Sequence, residues 1–393
     1  MALSENQEKA TLHSNKLPDF VYLTADVGSV FDSQVVSLLR SYHLQNQFRS
    51  IHLVCGIRFE NEKERVRTAV NGYRINVLFF KSYPNFFFYH KAQQSQIAAA
   101  LSQLASDIEN PIVHIRGELL ALHANAPLMN IWGSLNRVLV DIRGAGWEEV
   151  LEFLNMPLPF RLFKKINYSR AFAQLHKFGA VSVVSEALRV YTNKRCSSLI
   201  RPIHLVPCLV SERFAILPQA RERVRKELHI SEDAKLLVFS SGGNAGWQQN
   251  ELLMELVSDR WMILNLSNTP IEVEGVINRF VPYAEMPDYL SAADAAIVFR
   301  SQSVVNKVAC PVKFCEYLCS GLPVIANPTV ELIKATLEEH KFGLLISHPS
   351  DLYKFPDDAI FNHNREKIAK FGKHNFGIET VAEKYKTIYS SLV

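Results

Sequence analysis

No run of eighteen apolar residues occurs anywhere in this 393-residue chain, so no single helix can be built long and apolar enough to cross a bilayer. Residues 1–18 also lack the apolar core of a secretory signal and are expected to form a disordered lead-in. Cysteine is scarce. Six thiols give no disulfide framework, and Cys310, Cys315 and Cys319 cluster in an apolar, helix-like segment at spacings that match no zinc pattern. They are expected to be buried thiols. Charge of one sign is scarce as well: 43 basic and 39 acidic residues leave a formal charge of +4, with both signs scattered, which excludes the basic footprint of a nucleic-acid binder. There is no repeat of solenoid period and no low-complexity tract. What is left is 48% hydrophobic and 21% charged residues, enough for sizeable cores and typical of a cytoplasmic α/β protein.

Short apolar runs alternate with amphipathic stretches of helical length, the pattern of parallel sheets covered by helices. In the first half the predicted strands start at Phe20, Ile51, Ile75, Pro111, Arg137 and Ala180, with helices beginning near Asp32, Asn61, Lys91, Glu118 and Arg161. The rhythm pauses where Pro202 and Pro207 bracket a short strand. A fresh series follows, with strands starting at Lys235, Met262, Val276, Ala295, Pro323 and Leu344. Two such sets imply two Rossmann-like domains. We place a first domain at 19–205, a second at 206–376 and a helix at 377–393. Val381, Ala382, Tyr385, Ile388 and Tyr389 recur on that last helix at three-to-four spacing, so one face should be buried. Two facing sheets leave a cleft outside the carboxyl ends of their strands, where such folds bind ligands.

The stretch FRSQSVVNKVACPVKFCEYLCSGLPVIA, from Phe299, reads as a strand end, a basic loop, a short helix opened by Pro311, a stop at Gly321 and another buried strand. That helix start offers free N–H groups and the positive end of a dipole to an anion. Arg300, Lys307 and Lys313 surround it in sequence and are suited to hold a diphosphate, while Glu316 can accept hydrogen bonds from ribose hydroxyls. The plain alternative is an exposed Lys313–Glu316 pair at three spacing. SGGNAG, from Ser241, misses a dinucleotide fingerprint by one glycine. Gly242 and Gly243 equally suit a turn whose backbone approaches a phosphate, so an NAD-dependent oxidoreductase is only a distant alternative.

PVKFCEYLCSGLPVIA resembles the donor-binding signature of glycosyltransferase family four, the retaining enzymes of GT-B fold. FVPYAEMPDYLSAADAAIVF (from Phe280), AVSVVSEALRVY (from Ala180) and HLVPCLVSERF (from His204) resemble further parts of the same family. VHIRGELLA (from Val113) and VDIRGAGWEEV (from Val140) resemble its bacterial surface-polysaccharide subgroup, and the likeness runs from Val21 onward. The resemblance implies two facing Rossmann-like domains, with the last helix crossing back to the first. It implies a nucleotide-diphosphate sugar as co-substrate, with no cofactor, and a glycan or lipid-linked acceptor. Val281 and Pro282 would then border the nucleotide base. There are departures. The family commonly shows Glu, seven residues, then Glu; the second matches Glu316, but the first position holds Val308. The Arg and Lys frequent in the first loop of the second domain are missing too, so a chain whose catalysis has lapsed, binding without turnover, is an alternative. No Asp-x-Asp occurs, so the metal-chelating device of the other large glycosyltransferase fold is absent and no metal is implied.

His114, near the end of its strand, is either a structural histidine or a catalytic group facing the cleft. Arg116, which follows the same strand, is a candidate for acceptor binding. Asp26, Gly28 and Ser29 in the first strand–helix loop, with Arg143 and Glu148 after the fifth strand, are candidates for acceptor binding. Turn and helix-start chemistry explains them equally well. VLFFKSYPNFFFYHK, from Val77, packs seven Phe and Tyr residues around lysines, and FRLFKKINYSR, from Phe160, is a second basic, partly apolar segment. Aromatic-plus-lysine loops suit a membrane interface, so peripheral contact with the inner face of a membrane is expected if Phe86, Phe87, Phe88 and Lys81 lie outside the core.

Overall fold

The structure, a computed structural model, describes residues 17–28, 30–153, 156–196, 202–241 and 250–393. The first sheet has seven parallel strands: β1 (Phe20–Thr24), β2 (Ile51–Ile57), β3 (Ile75–Lys81), β4 (Ile112–Arg116), β5 (Val138–Ile142), β6 (Ala180–Val183) and β7 (Ile203–Leu205). The second has six: β8 (Leu236–Ser240), β9 (Met262–Leu266), β10 (Val276–Asn278), β11 (Ala295–Val298), β12 (Val324–Ala326) and β13 (Gly343–Leu345). Every strand expected from the apolar runs is present. Helices cover both faces, which is why β1, β2, β5 and β8 are buried along their whole length and read as unbroken apolar runs.

Strand order places the candidate sites. It runs β3-β2-β1-β4-β5-β6-β7 in the first sheet and β10-β9-β8-β11-β12-β13 in the second. In each sheet the order therefore reverses beside the opening strand, between β1 and β4 and between β8 and β11. The connections leave in opposite directions there, opening a crevice at the carboxyl edge.

Two helices differ from expectation. The one expected near Arg161 starts earlier, at Leu158, because Pro159 fits its first turn. A short helix at Gly146–Glu152 lies in a stretch whose apolar periodicity is too brief to predict it. The helix Val312–Cys319 forms as expected, with Pro311 just outside it and Gly321 at φ +72 ending it. A Cβ there would stand 2.8 Å from the Arg365 carbonyl oxygen, so this position needs glycine. Cys310, Cys315 and Cys319 are buried free thiols.

The final helix, Ile378–Ser390, returns to the first sheet, and its five expected apolar residues are all buried. They share one cluster with Phe20, Tyr22, Tyr42 and Phe48. The chain enters this helix beside the connection between the sheets: Val210 donates its N–H to the Phe376 carbonyl and accepts from Ile378 N–H, at 2.7 and 2.9 Å. Elsewhere the two halves meet through Ser185 Oγ, which donates to the Val308 carbonyl at 2.5 Å, and through Glu152, whose carboxylate accepts from Val304 N–H at 3.0 Å.

Tyr389 carries the polar part of the returning helix. Its hydroxyl lies 2.7 Å from His114 Nδ1 and 3.2 Å from the Tyr42 hydroxyl, all buried. Tyr389→Phe keeps the ring and leaves two buried polar groups short of a partner, so urea unfolding should show a loss of about 1–3 kcal/mol. An unchanged unfolding midpoint would contradict that role.

Candidate functional site

At the β8/β11 reversal, Ser240, Val298, Phe299, Arg300, Lys313 and Tyr317 line one crevice. Arg300 follows β11, and its backbone is clamped from both sides. Its N–H donates to Asn327 Oδ1 at 3.1 Å, and its carbonyl accepts from Asn327 Nδ2 at 2.7 Å and Thr329 Oγ1 at 3.1 Å. The guanidinium, by contrast, has no hydrogen bond or ion pair among the described residues. Burial pulls its pKa down to about 10. A half-buried cation without a counterion is costly unless something anionic arrives.

Lys313 stands on the first turn of Val312–Cys319, where the leading N–H groups have no partner within the helix. Its Nζ is 2.9 Å from Glu316 Oε2 and 5.8 Å from the centre of the Tyr283 ring. Glu316 is fully buried, and its other oxygen, Oε1, has no well-formed hydrogen bond among the described residues. The Tyr283 hydroxyl leans on this carboxylate without a well-formed hydrogen bond, its pKa raised first by burial, then by the Glu316 charge and a weak hydrogen bond to it. Tyr317 fixes the helix against the sheet, accepting from Ser240 N–H at 2.8 Å.

Sequence reasoning expected three cations here; the structure brings two to the crevice. Lys307 does not line it: its side chain is 61% exposed and its Nζ lies 3.6 Å from Glu331. Val281 is buried and Pro282 exposed, on the loop that carries Tyr283. Gly242 and Gly243, with the glycine-rich loop, lie outside the described residues, as does Ser29. Val308, at the position where the family pattern has glutamate, is buried beside the Ser185 contact. Tyr283 was missed, although it directly follows the two loop residues singled out.

The β1/β4 reversal opens a larger cavity of about 390 Å³, lined among others by Asp26, Arg116, Glu118, Arg143 and Glu149. Asp26 Oδ2 lies 3.4 Å from Arg116 Nε. Gly28 does not line the cavity. Its N–H donates to Asp26 Oδ1 at 3.1 Å, a side-chain-closed turn. Glu148 points away, held by Tyr191 and Arg195. Arg143 reaches the cavity wall but is largely committed. It donates to Tyr385 Oη at 3.2 Å, Gln34 Oε1 at 3.1 Å and Cys208 Sγ at 3.1 Å, and lies 3.4 Å from Asp141.

The expectation that His114 faces the cleft is corrected. Its ring is fully buried, closed off by Tyr389, with Nε2 3.5 Å from Asp141 Oδ2. Burial holds its pKa below the usual value despite that neighbour. The strand does end at the cavity, but His114 points to the face covered by the returning helix, and a strand's alternation sends neighbouring side chains to opposite faces. Besides Asp26, the acidic groups that line the cavity are Glu118 and Glu149, both missed. Their signal was position. Glu118 directly follows Gly117, which at φ +95 turns the chain from β4 into the helix Glu118–Trp132.

No protein-family model matches the sequence, and a search of curated proteins also finds no match. Solved structures do match. A glycosyltransferase from Rickettsia africae ESF-5 superposes with a TM-score of 0.68 at 12% identity, covering 96% of this chain and 99% of that one. Anabaena Alr3699/HepE in complex with UDP-glucose gives 0.68 at 12% identity, over 95% and 100% of the two chains. The catalytic domain of starch synthase IV from Arabidopsis thaliana, bound to ADP and acarbose, gives 0.60 at 12% identity, over 96% and 99%.

The fold is GT-B. The two reversals are thus the carboxyl edges of the two sheets of a GT-B chain, each furnished with charged side chains.

Glu118 gives this region a pH signature. Burial, with Glu149 and Glu148 nearby, raises its pKa from an ordinary 4.5 to about 7. The folded state then holds a proton that the unfolded chain has released, so this group's contribution to stability falls as pH rises from about 4.5 to about 7 and stays low above that. Glu118→Gln removes the titration. Relative to wild type it should gain up to about 3 kcal/mol at pH 8 compared with its difference at pH 4, measured by urea unfolding at both pH values. A pH-independent difference would place the carboxyl in a more solvated setting.

Proposed function

We propose that this protein is a retaining, metal-independent glycosyltransferase. It would move a hexosyl or related glycosyl group from a nucleotide-diphosphate sugar to a hydroxyl of a glycan or lipid-linked glycan in surface-polysaccharide synthesis. One observation carries the reading: a half-buried Arg300 guanidinium, without a partner among the described residues, stands beside Lys313 and a helix start, at the switch point of the second sheet. That is a seat for a diphosphate. Solved structures of the same fold hold UDP-glucose or ADP, which supports a nucleotide there.

In this reaction the bond between the anomeric carbon and a diphosphate oxygen breaks, and the acceptor hydroxyl oxygen bonds to that carbon on the same face. The hydroxyl proton passes to the departing diphosphate. Arg300 and Lys313 neutralise the charge that grows on the leaving group, the role in which fixed cations contribute most. Glu316 Oε1 accepts from ribose hydroxyls, and the loop of Val281, Pro282 and Tyr283 borders the base. The acceptor enters the 390 Å³ cavity, whose size lies within the roughly 300–1,000 Å³ of small-molecule sites, against Asp26, Arg116, Glu118 and Glu149. On this reading residues 19–205 form the acceptor domain and 206–376 the donor domain.

A donor-binding protein without turnover is the second reading, favoured by Val308 where a sugar-contacting carboxylate would stand. Release of free nucleotide from a panel of nucleotide sugars separates the two, and binding with no release would select the second.

Lys313→Ala and Arg300→Ala should each raise the dissociation constant for the free nucleoside diphosphate about tenfold or more, by calorimetry, since a charge-assisted bond contributes roughly 1.5–3 kcal/mol. Unchanged affinity in both would assign Lys313 and Glu316 to the scaffold. Glu316→Gln should weaken donor binding while sparing turnover at saturating donor; the opposite pattern would make this carboxylate part of the chemistry.

A further inference from the structure

The helix Leu158–Gln174 is built the wrong way round for a helix on a globular surface. Leu158, Leu162 and Ile166, spaced one turn apart on one stripe, are 69%, 50% and 48% exposed. Beside the helix lies the short turn Phe87–Tyr89, whose Phe87 and Phe88 are 41% and 52% exposed. The two segments, about eighty residues apart in sequence, join through their rings. Phe86 meets Phe160 at 5.5 Å between centroids, and Phe87 meets Phe163 at 5.0 Å. Lys164 caps the junction, its ammonium 5.7 Å from the Phe86 ring. The result is one continuous apolar face, larger than scattered surface residues make.

The stretches of chain that build it carry one sign of charge, although Glu149 of the neighbouring helix lies near Lys164. Residues 65–106 carry five Lys and Arg and no Asp or Glu, and so do residues 153–185, whereas the whole chain averages about one acidic residue in ten. The face also adjoins an opening. Asn85, next to Phe86, and Tyr168, on the same helix, both line the 390 Å³ cavity, and Asn167 Nδ2 donates to the Asn85 carbonyl at 3.3 Å between them.

We propose that this face is a docking surface for an anionic lipid bilayer, one that sets the mouth of the first-sheet cavity at headgroup level. Leu158, Leu162, Ile166, Phe87 and Phe88 enter the boundary between headgroups and acyl chains. Lys164 and Lys165 lay their stems along the apolar face and hold their ammonium groups among the phosphates. A protein partner would need to supply an acidic, apolar groove, and a second copy would bring like charges together across a two-fold contact. An anionic bilayer satisfies both the apolar and the electrostatic demand. Docking stands whether or not the cavity takes a sugar, so its failure leaves the glycosyl-transfer reading untouched, and the reverse holds too.

Flotation of the full chain with phosphatidylglycerol–phosphatidylcholine vesicles, against phosphatidylcholine alone, tests the proposal. The wild type should float with the anionic vesicles, less so as salt is added. Leu162→Ser/Ile166→Ser and Lys164→Glu/Lys165→Glu should each lower partitioning about tenfold or more. All but Lys164 of these side chains are exposed, so far-UV circular dichroism and melting temperature should match wild type, and a folded Leu162→Ser/Ile166→Ser protein gives the result by itself. Wild type that stays with the unbound fraction at low salt overturns the proposal, as does equal binding by that double variant. A concentration-dependent dimer that Leu162→Ser/Ile166→Ser abolishes, without vesicle binding, would assign the face to a second copy instead.

Discussion

The seating of the last helix on the first sheet is the contact on which the rest of this molecule depends. Without it Phe20, Tyr22 and Tyr42 would face water, and the polar groups beneath would lose their partners. Those groups form one buried chain. Tyr389 meets His114, His114 lies against Asp141, and Asp141 lies against Arg143, which reaches Tyr385 on the helix and Cys208 on the connection. Burial alone would raise the Asp141 pKa, but Arg143, His114 and Arg116 hold it far below the carboxylate range. The network thus keeps a full charge inside the protein, and does so only while helix, sheet and connection are all in place.

Much of the architecture was legible because parallel sheets write themselves plainly. Strands buried on both faces are short unbroken apolar runs, and proline and glycine punctuate the ends of elements such as Val312–Cys319. Side-chain direction was not legible. His114 and Arg116 are two residues apart on one strand, yet the first is sealed under Tyr389 and the second, the last residue of the strand, reaches Asp26. Lys307 was close to Lys313 in sequence, but it ends a separate one-turn helix, Val304–Lys307, and its side chain turns to Glu331. Glu118 was overlooked because an acidic residue at a helix start is ordinary; only the neighbouring strand order reveals that this start opens onto a cavity.

The two carboxyl edges are furnished differently. In the first sheet most charged groups answer one another: Asp26 with Arg116, Glu148 with Arg195, Asp141 with Arg143. In the second, Arg300 is locked by its backbone while its side chain has no counterion among the described residues, and Glu316 gives one oxygen to Lys313. Unspent hydrogen-bonding capacity in a rigid frame is what distinguishes a binding site from a scaffold, and it is concentrated on the second edge.

The returning helix also orders the life of the chain before it is complete. A ribosome delivers the first sheet long before residues 378–390, so the face formed by Phe20, Tyr22, Leu139 and Ala180 waits uncovered while the whole second sheet is made. The usual sequence, in which an early domain matures before a later one appears, is closed to this protein. Its first half is finished last, and until then its open apolar face is the natural client of a chaperone.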